Sequence, residues 1–143
     1  MNWKKWYKEC GLCPRECGVN RLEGQRGFCR QTAELKVARA ALHMWEEPCI
    51  SGTKGSGTVF FAGCHLGCVF CQNGQISREG RGKVISVIRL AEIFMELQAK
   101  GAHNINLVSP TPYVPAIREA LKEPLPVPVV WNTGGYERVE TLR

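Results

Sequence analysis

Cys64, Cys68 and Cys71 lie in the run AGCHLGCVFC, spaced C-x3-C-x2-C, directly behind the apolar stretch Thr58-Val59-Phe60-Phe61. Thiolates are soft ligands suited to iron–sulfur clusters and to zinc. A four-iron cluster has four irons to satisfy, and this loop offers three sulfurs. The iron left over is open to a small molecule, and an open coordination position is where metal chemistry happens. The competing reading is a structural zinc site completed by His65 or by a distant cysteine. A closed zinc knuckle usually brings two ligand pairs, and one local triplet stands here, so the ligand count favours iron–sulfur. His65 reads as a loop residue pointing away from the metal.

A second set precedes it. Cys10, Cys13, Cys17 and Cys29 are spaced C-x2-C-x3-C-x11-C in CGLCPRECGVNRLEGQRGFCR. Four thiolates can close a tetrahedral zinc site or hold an auxiliary iron–sulfur cluster, and both readings stand. Four protein ligands leave no open position, which favours a structural role. Gly11, Pro14, Gly18, Gly24 and Gly27 punctuate the segment, so it reads as a loop-rich module that needs metal to hold its shape. Cys49 reads as a buried thiol rather than a ligand.

Composition sets the outer bounds. A chain of 143 residues suits one domain with a moderate core. The opening MNWKKWYKEC has no apolar h-region, and no apolar run approaches the roughly 20 residues of a membrane span. A cytoplasmic protein away from membranes is expected. The eight cysteines fall in tight clusters, and none lies beyond Cys71. That pattern fits metal better than loop-stapling disulfides. The formal net charge is +6, but metal-bound thiolates would lower it to roughly +3. A solvated basic surface accounts for the remainder, and nucleic acid is not an expected partner. Trp3, Trp6 and Trp45 read as packing residues, since no base-reading motif accompanies them.

These cysteines need a scaffold. Residues 34–42 alternate briefly and predict a short strand or hairpin arm. The run Ser51–Gly57 is glycine-rich but lacks the spacing of a phosphate loop, and reads as a flexible approach to the first strand. Thr58–Ala62 then forms a buried strand. Ser86 caps a helix running to Lys100, with Leu90, Ile93, Phe94 and Leu97 on one face and Gly101 ending it. Asn104–Val108 forms a second strand, Thr111-Pro112 opens a second helix through about Lys122, and Val127–Trp131 forms a third strand. Strands alternating with helices predict an α/β fold of parallel βαβ units. Residues 136–143 look like the opening of another helix. The expected organisation is a cysteine-rich metal-binding module over residues 1–50. A partial (βα) barrel of about three parallel strands follows over 51–143, the N-terminal part of a longer domain. The raw edge of the third strand would then be covered by the rest of the barrel or by a second copy. In parallel α/β proteins, ligands bind at the C-terminal ends of strands. That directs attention to Asn104, Asn106, Ser109, Thr111, Asn132 and Thr133, with turn and cap chemistry as their bland alternative. His43 and His103 read as structural.

The cysteine motif after a first strand, with Phe70 before its last cysteine, resembles the radical S-adenosylmethionine (radical SAM) superfamily. The runs EEPCISGTKGSGTVFFAGCHLGCVFCQN, INLVSPTPYVP, WNTGGYE and CGLCPRECGVNR resemble, more narrowly, radical SAM proteins related to the pyruvate formate-lyase activating enzyme. The resemblance implies that Cys64, Cys68 and Cys71 hold a [4Fe–4S] cluster. It implies that S-adenosylmethionine chelates the fourth iron, with Phe70 beside its adenine. Reductive cleavage would give a 5′-deoxyadenosyl radical that takes a hydrogen atom from substrate. Activating enzymes of this type often carry Gly-Gly-Glu after the second strand. Here Val108-Ser109-Pro110-Thr111 stands in that place, so Ser109 and Thr111 would supply the oxygens, with Asn132 at the next strand end.

The expected function is therefore that of a radical SAM oxidoreductase acting on an unknown substrate, with a glycyl-radical enzyme as the analogy suggests. Its partners would be a flavodoxin- or ferredoxin-type electron donor and a protein substrate. The alternative is a non-catalytic zinc or iron–sulfur module that docks to a protein or RNA partner.

Overall fold

The computed structural model describes residues 3–143. Its N-terminal stretch contains two short 3-10 turns, Trp3–Tyr7 and Arg21–Glu23. Strand β1 (Lys36–His43) leads through the one-turn helix α1 (Pro48–Ser51) to β2 (Ser56–Phe61). A short helix α2 (Gly74–Ser77) and the two-residue β3 (Lys83–Val84) follow the cysteine loop. Then come α3 (Val87–Ala99), β4 (Ile105–Val108), a 3-10 turn at Thr111–Tyr113, α4 (Val114–Ala120), β5 (Val129–Asn132) and α5 (Val139–Leu142).

The five strands form an open mixed sheet in the order β3-β1-β2-β4-β5. β2, β4 and β5 are parallel, with Val59 opposite Leu107 and Leu107 opposite Trp131. They are the three strands expected from the sequence. β1 runs antiparallel to β2, with a bulge between Val37 and Arg39, and β3 runs antiparallel to β1. The expected hairpin arm is thus a full eight-residue strand of the same sheet. β3 went unread because two exposed residues carry no periodic signal. The glycine-rich approach is also more ordered than expected. Ser51 and Ser56 are buried, and Gly57 already pairs with Ile105.

β2 is buried along nearly its whole length, as befits a strand flanked on both edges. Val59 and Phe61 pack with Ile105 and Leu107 under Leu90, Phe94 and Leu97 of α3 and Ile117 of α4. Burying each such side chain stabilises the fold by about 1.5–3 kcal/mol. The Ser86 hydroxyl accepts from Arg89 N at 3.0 Å and starts α3 as expected. Gly101 stands just past its end with φ +93°.

The N-terminal stretch has its own small apolar cluster of Tyr7, Cys10 and Leu12, flanked by Trp3 and Trp6. Arg21 ties it to the turn after β4. Its guanidinium donates to Pro112 O at 2.7 Å and to Thr32 O at 2.6 Å. Trp45 is 89% exposed and packs against nothing substantial, contrary to the expectation for it. Among the described residues, no helix is long and apolar enough to cross a membrane.

Candidate metal centre

The cysteine loop starts where β2 ends, at the C-terminal edge of the parallel strands. Gly63 makes the turn with φ +84°, and a Cβ there would lie 2.8 Å from the Cys29 carbonyl oxygen. Only glycine satisfies both demands. Cys64, Cys68 and Cys71 are half-buried and free of disulfides. Leu66 N–H donates to Cys64 Sγ at 3.4 Å, and Cys71 Sγ lies 3.3 Å from Ser77 Oγ. Burial opposes ionisation of Cys64, but the neighbouring His65 and the Leu66 and Gly67 N–H groups outweigh it and bring the thiol down to about 7. The thiolate is the form that binds metal.

His65 does not point away, as the sequence suggested. It is 2% exposed and stacks on Tyr136, with ring centroids 6.1 Å apart and planes 4° apart. Its Nε2 lies 3.9 Å from Glu137 Oε1, beyond hydrogen-bond reach. Glu137 Oε1 accepts from Thr111 Oγ1 at 2.6 Å and from Thr133 Oγ1. The cysteine loop, the turn after β4 and the turn after β5 therefore meet at one carboxylate.

The other expected residues take varied places. Ser109 carries φ +54°, and its N–H donates to Asn132 O at 3.1 Å. Both are half-buried at the same strand edge. Phe70 is 86% exposed at the tip of the cysteine loop. Asn106 is fully buried within β4, and neither of its side-chain polar atoms has a partner. Asn104 belongs to the opposite end of β4, where it bonds Ser56 Oγ and Ile50 O. His103 Nε2 accepts from Lys54 N, a structural role as expected. Cys49 is exposed rather than buried. Tyr136 and Glu137 stand in the Gly134-Gly135-Tyr136-Glu137 run, which the sequence sets aside as a Gly-Gly-Glu motif because it follows the third strand and a tyrosine interrupts it, yet the fold brings both to this site.

Cys10, Cys13, Cys17 and Cys29 all line one tight cavity of about 20 Å³, which His65 and Thr111 also line. Arg15, between two of these cysteines, donates to the carbonyl oxygens of His65 and Leu66. Among the described residues, no three His, Cys, Asp or Glu side chains converge on a point that suits a single metal ion. In a cubane cluster each thiolate meets a different iron, so the sulfurs need no common point. Three soft donors, one of them near ionisation, and unpartnered buried polar atoms at the adjacent strand edge fit a cluster with a polar ligand beside it.

An uncharacterized protein of Methanocaldococcus jannaschii is 36% identical over 149 aligned positions, which include 97% of this chain. The chain spans 42% of that relative's length. No solved structure matches it. The Radical SAM superfamily model matches residues 58–142, from within β2 through the cysteine loop to α5. With more than half its length matched, and the thiol loop inside the match, the chain belongs to the radical SAM superfamily.

Proposed function

We propose that Cys64, Cys68 and Cys71 hold a [4Fe–4S] cluster and that the protein is a radical SAM oxidoreductase. When bound, the cluster and S-adenosylmethionine supply one-electron cleavage of the sulfonium and hydrogen-atom abstraction from substrate. The supporting observation is the position of the thiol loop at the C-terminal edge of three parallel strands, beside a carboxylate held by two threonines.

The chain's own residues divide the work. Cys64 reaches thiolate near neutral pH, which eases metal uptake. Thr111 and Thr133 orient Glu137, a carboxylate suited to the amino group of S-adenosylmethionine. Thr111 would thus act through Glu137 rather than by direct contact. Ser109 and Asn132 offer further polar groups at that edge, and Phe70 offers an aromatic face for adenine. In this reading the cysteines within residues 1–50 form a metal-binding segment, whose β1 nonetheless belongs to the sheet, and residues 51–143 form a partial barrel.

Likeness to the pyruvate formate-lyase activating enzyme makes a glycyl-radical protein the substrate class we carry forward. A flavodoxin or ferredoxin would deliver the electron, in the reducing cytoplasm where free thiols persist. The outer edge of β5 would meet further barrel strands or a second copy.

The test is anaerobic purification followed by iron and sulfide analysis and a dithionite-driven S-adenosylmethionine cleavage assay. Brown absorbance and 5′-deoxyadenosine formation, both lost when Cys68→Ala removes a loop thiol, are expected. Zinc at the loop with no cleavage product would leave the non-catalytic reading in its place.

A further inference from the structure

We propose that Ser77 and Arg78, at the C-terminal end of α2, set the reduction potential of the cluster held by Cys64, Cys68 and Cys71. The inference rests on the reading of that loop as a [4Fe–4S] site. It gives the two residues a positioning role, placing a hydrogen bond and a charge against the loop.

The chain turns back quickly after the last thiol. Five residues separate Cys71 from Ser77, and Gly63 N–H donates to Ile76 O at 3.0 Å. The end of α2 is thereby pinned to the residue that opens the loop. Ser77 is 7% exposed, and its hydroxyl lies 3.3 Å from Cys71 Sγ. A ligating thiolate has no proton, so the hydroxyl is the donor once metal is bound.

Arg78 reaches the loop elsewhere. A Cβ on Gly67 would lie 2.6 Å from Arg78 Nη1, so the guanidinium presses on the backbone between Cys64 and Cys68. Nη1 is buried and, among the described residues, has no hydrogen-bond partner. No carboxylate among those residues forms an ion pair with Arg78. Its guanidinium carbon lies 5.3 Å from the Phe28 ring centroid, and that of Arg15 lies 3.8 Å from the same centroid. Arg15 also donates to His65 O and Leu66 O. The backbone from His65 to Gly67 therefore touches two cations, neither of them neutralised by an ion pair. A desolvated cation without a counter-charge is costly. Ionised thiols in the loop supply that charge.

Iron–sulfur potentials respond to net charge, to hydrogen bonds on sulfur and to solvent exposure. A four-iron core on three thiolates carries about −1 when oxidised and about −2 after taking one electron. A hydroxyl proton on Cys71 and a cation at Gly67 both favour the more negative state. Each therefore raises the potential, and the cluster can be reduced by a weaker donor.

The experiment uses the full chain, reconstituted anaerobically with iron and sulfide. It is titrated with dithionite and redox mediators, without S-adenosylmethionine, and followed by electron paramagnetic resonance. At the midpoint potential of the unmutated protein, Ser77→Ala and Arg78→Met should each lower the reduced-to-oxidised ratio about three- to tenfold. Ser77→Thr keeps the hydroxyl and Arg78→Lys keeps the charge, so both should restore most of the ratio. A merely structural role would change melting temperature or iron content and leave the ratio where it was.

Unmutated protein that assembles no iron would remove the reading of the loop, and this inference with it. Full iron with an unmoved ratio in both Ser77→Ala and Arg78→Met overturns this inference alone. Should Ser77→Ala fail to hold iron, the half-buried Arg78 decides, and an unmoved ratio in Arg78→Met is then the overturning result.

Discussion

Arg15 Nε donates to the His65 carbonyl oxygen at 3.0 Å, across fifty positions of sequence, and its Nη2 reaches Leu66 O at 3.3 Å. An arginine between two cysteines of one set thus grips the backbone between two cysteines of the other. The guanidinium also lies 3.8 Å from the Phe28 ring centroid. Replacing it by alanine should cost about 1–2 kcal/mol, the range of charge-assisted hydrogen bonds with partial solvent access. Arg15→Lys should recover little of that, because one ammonium cannot reproduce the two-pronged fork. Chemical denaturation measures the loss, and iron release to a chelator should quicken in Arg15→Ala.

Glu137 Oε1 takes hydrogen bonds from two threonines, so those bonds should not be independent. Thr111→Val and Thr133→Val should each destabilise by about 1–2 kcal/mol. A double-mutant cycle should show a coupling of about 0.5 kcal/mol or more, as expected for groups sharing one acceptor. Strict additivity would mean that the carboxylate is held by something else.

Ser109 pays for its left-handed backbone, since φ is +54° in a residue with a Cβ. Ser109→Gly should leave stability within about 0.5 kcal/mol, and Ser109→Val should cost about 1–3 kcal/mol. If the hydroxyl meets S-adenosylmethionine, the glycine variant should bind it more weakly while melting at nearly the same temperature. Calorimetric titration separates the two effects.

Gly63 joins the central strand to the cysteine loop at φ +84°, with Cys29 O and Gln31 pressed against it. Gly63→Ala meets both steric and dihedral resistance and should cost about 2–4 kcal/mol. Its iron content should fall with its stability, whereas Gly74→Ala, where a Cβ meets nothing within 4 Å, should retain iron. Equal iron in both variants would show that the turn does not set the loop.

Burial holds Tyr7 and Tyr113 protonated well above the ordinary tyrosine range, against the opposing pull of Arg21. In the unfolded chain these phenols ionise near pH 10. Below that pH both states carry the protons and stability is full. As pH rises past 10, the unfolded state loses protons that the folded state keeps, so stability falls. Denaturation midpoints measured from pH 9 to 11 should drop in the natural protein. The double variant Tyr7→Phe, Tyr113→Phe should start lower, having lost the Tyr113–Gln31 bond, and should decline less steeply.

The sheet strands with continuous apolar runs and the capped helix α3 were legible from local pattern, because their burial follows a fixed period. Residues 58–62, 104–108 and 127–131 overlap β2, β4 and β5 closely. Spacing singled out the three thiols of the loop after β2 and the four N-terminal thiols that line one cavity. What escaped notice depends on tertiary neighbours. β1 carries mixed burial along eight residues, so its alternation fades after Val37, and its pairing with β2 is antiparallel. His65 is polar and stands in a loop, yet it is buried because Tyr136 and the N-terminal stretch close over it. Glu137 sits 26 positions from Thr111, and no local rule joins them.

Because β1 lies antiparallel along one flank of β2, the parallel ladder can lengthen only past β5. The flank by the N-terminal stretch is therefore sealed by the chain itself. Any strand added to the parallel ladder would stand beyond β5, and at the loop tip Val69 and Phe70 stand clear of the surface. The side on which the ladder can grow is thus a property of strand polarity, set by the antiparallel pairing of β1 with β2.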